Sequence, residues 1–135
     1  MRRAYRNHTL SSYPRINYTN EYASKCIPMD QAASLVTSGD NVYISGNAAS
    51  PTDFMKALAK RKEVLTGVSV YHILLLGENP IADPSFQGHI QHAAFFIGHT
   101  EREAVLRGQA DYIPIFLSEV PSVISSGAIP MTTYR

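Results

Sequence analysis

Cysteine is almost absent from this 135-residue chain, Cys26 being the only one. An intrachain disulfide is therefore excluded, as is a zinc centre built on paired thiolates, and the usage suits a reducing compartment or the mitochondrial matrix. Long apolar runs are missing too. Runs such as residues 73–76 and 93–97 fall far short of the ~20 residues that cross a bilayer, and the N-terminus lacks the apolar segment of a secretory signal. A soluble protein is expected. Charge of one sign is not in excess, with 12 Lys and Arg against 11 Asp and Glu and a net charge of +1. That balance offers no broad attraction for nucleic acid or an anionic membrane. The chain has no internal repeat and no glycine pattern of the dinucleotide or ATP phosphate-loop kind, and no GxSxG elbow. NAD, ATP and a serine nucleophile thus have no anchor.

What remains is 44% hydrophobic, enough for one compact α/β domain or part of a larger one. Charge is unevenly spread: residues 1–20 hold Arg2, Arg3, Arg6 and Arg15 with no acid, so the leader is +4 and residues 21–135 are −3. An Arg-rich, Ser-containing, acid-free start resembles an organelle transit peptide, the alternative being a loosely docked arm.

The periodicities describe alternating helices and strands. Met29, Ala32, Ala33 and Val36 make one helical face that Gly39 stops. Residues 41–45 alternate as a strand, with Val42 and Ile44 on one face. Ser50, Pro51 and Asp53 have the chemistry of a helix start, with Ser50 as cap, and Phe54, Ala57, Leu58 and Leu65 form the inner face. Residues 68–76 are apolar almost throughout and predict a strand covered on both faces. Residues 93–97 predict a second buried strand, residues 100–103 a capping box, and Gly108 a helix stop. A short strand at 112–116 and a helix at 118–126, capped by Ser118, complete a layered α/β domain with a mostly parallel sheet.

In such sheets ligands bind beyond the carboxyl ends of the strands. Three loops qualify, and they supply the candidate substrate-binding residues Gly46, Asn47, Ala48, Ser50, Gly77, Glu78, Gly98, His99 and Thr100. Ser50 and Thr100 mark helix starts where a phosphate or carboxylate can sit. Each loop also has a plainer reading as a turn before a capped helix. His89 and His92 stand three apart in a region read as loop or strand start, where that spacing sends the rings to different sides, so no metal is expected. Glu78 is expected to face water, and Glu119 to favour the dipole of the last helix. No catalytic residue is assigned.

Several segments together resemble one enzyme family. They are Ser38-Gly39-Asp40 before a strand, residues 46–51 before a helix, FQGHIQHAAFFIGHTERE at 86–103, and ADYIPIFLSEVP at 110–121. In order and without large gaps over residues 21–130, the chain is similar to the acetyl-CoA hydrolase/transferase group of CoA-transferases. The resemblance implies a CoA-transferase-like α/β fold, with acyl-CoA and a short carboxylate such as acetate or succinate as substrates and coenzyme A as substrate rather than cofactor. It also implies a glutamate nucleophile that carries CoA as a thioester and lies in a second half, beyond residue 135. Residues 21–135 are expected to be an N-terminal domain of this kind, truncated and inactive alone. An unpaired sheet edge and exposed apolar surface are expected, favouring homo-oligomerisation. With the leader, the resemblance suggests a mitochondrial acetate:succinate enzyme. The alternatives are a non-catalytic domain that binds CoA or a partner chain, and another α/β enzyme such as a sugar-phosphate isomerase.

Overall fold

A computed structural model describes residues 18–133, so most of the leader lies outside the described residues. The elements, in chain order, are α1 (Thr19–Lys25), α2 (Met29–Ser34), β1 (Asn41–Tyr43), α3 (Thr52–Ala59), β2 (Val68–His72), β3 (Ile90–Ala94), α4 (His99–Leu106), β4 (Ala110–Tyr112) and α5 (Val120–Ser125). Helix α1 was not expected from the sequence, and it buries none of its residues. The other eight follow the order that the periodicities imply.

All four strands are parallel and lie in the order β1-β2-β3-β4. Every crossover therefore steps the same way, and right-handed crossovers that never reverse direction gather their helices on one face. Helices α3 and α4 both pack against the same short 3-10 turn, Pro80–Ala82. The covered face carries the row Val42, Val70, His92 and Ala110, all buried. On the opposite face the row runs Tyr43, Tyr71, Ala93 and Asp111, and both of its ends are exposed. This corrects the expectation of a strand covered on both faces at residues 68–76: β2 ends at His72 and alternates buried with half-buried residues.

The core joins Met55 and Leu58 of α3 to Val68, Val70 and Ile90 of the sheet, with Val36, Leu65 and Ile81 around them. Each such side chain stabilises the fold by roughly 1.5–3 kcal/mol through lost apolar exposure. Met29, placed on the inner face by its spacing, is 45% exposed. The end of α2 is held from the segment after α3: the Arg61 guanidinium donates to the carbonyls of Ala33 and, at 2.7 Å, Val36. The Ala33 carbonyl also accepts the Val36 N–H at 3.2 Å.

Helix starts differ from expectation in three places. Thr52 opens α3 after Pro51, and the Ser50 hydroxyl makes no cap bond; its donors and acceptors lie in neighbouring loops instead. Helix α4 begins at His99 with Gly98 as its cap residue, so the capping box at residues 100–103 is displaced toward Gly98. Before α5 the chain makes a 3-10 turn, Leu117–Glu119, with Ser118 inside it rather than capping; the Glu119 carboxylate turns back to accept the Phe116 N–H at 3.2 Å. Strand β3 starts at Ile90, three residues before the expected strand, because His92 lies inside the sheet. Strand β4 lies at Ala110–Tyr112 rather than 112–116.

Candidate functional site

The loops that follow β1, β2 and β3 all leave the carboxyl ends of parallel strands, so they emerge along one edge of the sheet. Side chains and backbone stitch them together. After β1, Asn47 sits at φ +52° and donates its N–H to the Leu74 carbonyl at 2.7 Å. The Ser50 hydroxyl accepts the Leu76 N–H at 3.1 Å and donates to the Asn47 carbonyl at 2.8 Å. Ser50 thus ties the first loop to the second.

Glycine at position 46 is dictated by this approach. A Cβ there would overlap the Leu74 carbonyl oxygen and lie 3.1 Å from the Leu74 nitrogen. Gly98 presses on the same segment from the other side, where a Cβ would meet Glu101 Oε2 at 2.8 Å and Leu74 Cδ1 at 3.0 Å. Residue 74 is therefore gripped between the first and third loops.

Glu101 closes the second loop onto the third. It is fully buried, accepting the Asn79 Nδ2–H at 2.7 Å and the Gly98 N–H at 2.9 Å, and it also pairs with the Thr100 hydroxyl. Burial alone would push its carboxyl upward, but the bonds from Thr100, Asn79 and Gly98, with His72 nearby, outweigh it and hold the group below the usual carboxylate range. This carboxylate occupies the start of α4, the place where the sequence suggested a seat for a substrate anion beside Thr100. Glu101, Asn79 and Leu74 were not among the sequence candidates. The usable signal was the spacing of Glu101 three residues after Gly98, since glycine is an acceptable cap residue.

Beneath the loops, in the sheet, His72 Nε2 and His92 Nδ1 share a hydrogen bond of 3.1 Å with the rings edge to face. Burial lowers both to about 4, so both rings are neutral at physiological pH. Their remaining nitrogens, His72 Nδ1 and His92 Nε2, and the Asn79 Oδ1 are buried without a partner. His89 is separate, with Nδ1 2.8 Å from the Leu65 carbonyl. No group of three metal-ligating side chains occurs among the described residues.

The other sequence candidates lie on the outside of this assembly. Ala48 is exposed in the 3-10 turn Asn47–Ala49. Gly77, at φ +89°, turns the second loop, and Glu78 is exposed with its carboxylate 2.6 Å from Lys56 Nζ. That ammonium lowers the Glu78 pKa, first through the hydrogen bond and then through its charge. His99 and Thr100 are exposed at the first turn of α4. The edge therefore presents hydroxyls, amides, an imidazole and one neutralised ion pair. Its Ser50 and Thr100 hydroxyls and the Gly98 N–H are already bonded within the chain.

Sequence comparison supplies the family. Residues 11–134 match the acetyl-CoA hydrolase/transferase N-terminal domain, and the chain belongs to this family of CoA-transferases, enzymes that work between acyl-CoAs and carboxylates. It is 31% identical over 110 residues to a 4-hydroxybutyrate coenzyme A transferase of Clostridium kluyveri, a match covering 82% of this chain and 26% of that protein. A succinyl-CoA:cyclohexane-1-carboxylate CoA transferase of Geobacter metallireducens is 35% identical over 108 residues, covering 80% and 24%. In structure the chain resembles RipA from Yersinia pestis, with a TM-score of 0.72 at 21% identity over 86% of this chain and 29% of that one. That likeness is one of fold. The chain spans about a quarter of the length of the curated relatives it matches.

Proposed function

We propose that the stitched loops at residues 46–50, 77–79 and 98–100 form one wall of the acyl-CoA and carboxylate site of a CoA-transferase. The observation that carries this is their convergence, through Ser50, Leu74 and Glu101, at the carboxyl ends of three parallel strands. In the full reaction a glutamate outside this chain attacks the thioester carbonyl, giving an acyl anhydride and free CoA thiolate. The thiolate then attacks the glutamyl carbonyl, releasing the first carboxylate and leaving glutamyl-CoA; the acceptor acid reverses the two steps. Thioester energy is kept throughout, which hydrolysis would dissipate. Neither Glu78, paired with Lys56, nor Glu119, turned onto Phe116, is assigned this role. Acetate and succinate are the preferred acids. The basic leader suggests a mitochondrial setting, and no helix among the described residues is long and apolar enough to cross a membrane.

NMR titration with CoA and with succinate tests the wall. Shifts are expected at residues 46–50, 77–79 and 98–100, and shifts confined to other surfaces, or none at millimolar ligand, refute the assignment. In a parallel assay of CoA transfer from succinyl-CoA to acetate, the 135-residue chain is expected to be inactive. Turnover by it alone would show that the nucleophile lies within these residues.

The second reading, a partner-binding fragment without catalysis, is favoured by the exposed Phe116 and Leu117 beside β4. It predicts tight capture of a complementing chain and no shifts with CoA.

A further inference from the structure

The cations of the described residues are nearly all spent within the chain. Lys25, Lys56, Lys60 and Lys62 pair with carboxylates, Arg107 pairs with Glu103, and Arg61 donates to the carbonyls of Ala33 and Val36. Arg102 is the exception: it is exposed and makes no ion pair, hydrogen bond or ring contact among the described residues. Its place is a poor one for a cation without a task. Arg102 is the fourth residue of α4, near the end where the helix dipole disfavours positive charge. The carboxylates on either side of it in sequence are committed elsewhere, Glu101 to Asn79, Gly98 and Thr100, and Glu103 to Arg107 at 3.4 Å. His99, three residues earlier and so on the same face of α4, is likewise exposed and unbonded among the described residues. Helical side chains lean back toward the start of their helix, so this face opens onto the third loop and the carboxyl edge of the sheet.

We propose that Arg102, assisted by His99, binds the anionic end of the substrate, a carboxylate or a phosphate. This rests on the reading of the carboxyl edge as a substrate wall and carries that wall one turn into α4. The loops themselves have no charge to offer, since Lys56 is held by Glu78 at 2.6 Å. Nor is the backbone at the start of α4 the seat, because Glu101 already takes the Gly98 N–H. The guanidinium remains, always charged and able to present two parallel N–H donors to a pair of anionic oxygens. Two parts of the substrates carry such oxygens away from the reacting carbonyl. Succinate keeps a second carboxylate, which acetate lacks, and CoA carries its phosphates.

NMR titration of the 135-residue chain tests this through the Arg102 Nε–Hε resonance. The probes are succinate, butyrate as its singly charged counterpart of equal length, and ADP. Succinate or ADP should shift the resonance saturably; a response to succinate identifies the carboxylate, and one to ADP the phosphate. Affinity for the responding probe should fall about fivefold or more in Arg102→Gln and be partly restored in Arg102→Lys. Neither variant should lose Tm, because the side chain is exposed and unbonded. Shifts that butyrate or chloride reproduces at equal ionic strength overturn the proposal. So does wild-type affinity in Arg102→Gln. If CoA shifts residues 46–50 and 77–79 while both anions leave Arg102 unmoved, the proposal falls and the wall stands. No shift with CoA at any residue removes the wall and this extension with it.

Discussion

His72 Nε2 and His92 Nδ1 lie 3.1 Å apart, on neighbouring strands and wholly shielded from water. Burial lowers each ring from 6.5 to about 4, with His72 adding to the effect on His92 and Glu101 opposing it on both. The unfolded chain therefore takes up these protons first. Stability from the neutral pair is complete above about pH 6.5 and drains away as the pH falls toward 4, by about 1.4 kcal/mol per pH unit for each ring still neutral. Urea unfolding at pH 7, 6 and 5 should show this decline. In His72→Phe the slope should shrink by at least half, and a wild-type stability flat across the range would show that the rings are not held neutral.

Glu101 joins two loops through one carboxylate. Replacing it by alanine strips the acceptor from Asn79 and Gly98 and should cost about 3 kcal/mol, as expected for buried bonds to a charged group. Glu101→Gln retains one acceptor oxygen and should cost less, about 1–2 kcal/mol. The readout that separates a loop clasp from general core damage is local: amides at 77–79 and 98–100 should lose protection while those of β2 keep theirs. Equal loss everywhere would contradict the clasp.

The contact of Gly46 with Leu74 makes a sharper case, because the obstacle is backbone. Gly46→Ala should destabilise the fold by roughly 1–3 kcal/mol, within the range for forced overpacking. Gly39→Ala is the comparison: nothing stands within 4 Å of its Cβ, and the cost there arises from φ +84° alone, about 1–2 kcal/mol. Shifts should appear at residues 74–76 for the first variant only, in a pair of NMR spectra.

Much of this architecture was legible in the sequence, for reasons visible in particular residues. Whereas α2 ends at Ser34, short of the stop expected at Gly39, the alternation of Val42 with Ile44 and the glycine stop at 108 are local signals and agree with the structure. So does the placing of three loops at one sheet edge, which follows from parallel topology. What the sequence hid depends on contacts distant along the chain. Ser50 followed by Pro51 has the composition of a helix cap, yet its hydroxyl is taken by Leu76, 26 residues on. His92 looked like part of a loop because a histidine seldom sits fully buried, and its partner His72 is 20 residues away. The one-sided covering of the sheet depends on strand order, which no single segment encodes.

Phe116 and Leu117 are 77% and 65% exposed where the chain leaves β4. With Tyr112, Pro114, Ile115 and Glu119, Phe116 borders a groove of about 320 Å3 beside the second edge of the sheet. Large adjoining apolar side chains in water mark a surface that associates. Because they bury so little within the chain, Phe116→Ser with Leu117→Ser should change stability by no more than about 0.5 kcal/mol, or a few degrees in Tm. Association should respond strongly: sedimentation of the wild-type chain is expected to rise with concentration, and that of the double variant to stay monomeric. Loss of many degrees in Tm would make these residues core rather than surface. Unchanged self-association would show that the contact lies elsewhere than at Phe116 and Leu117.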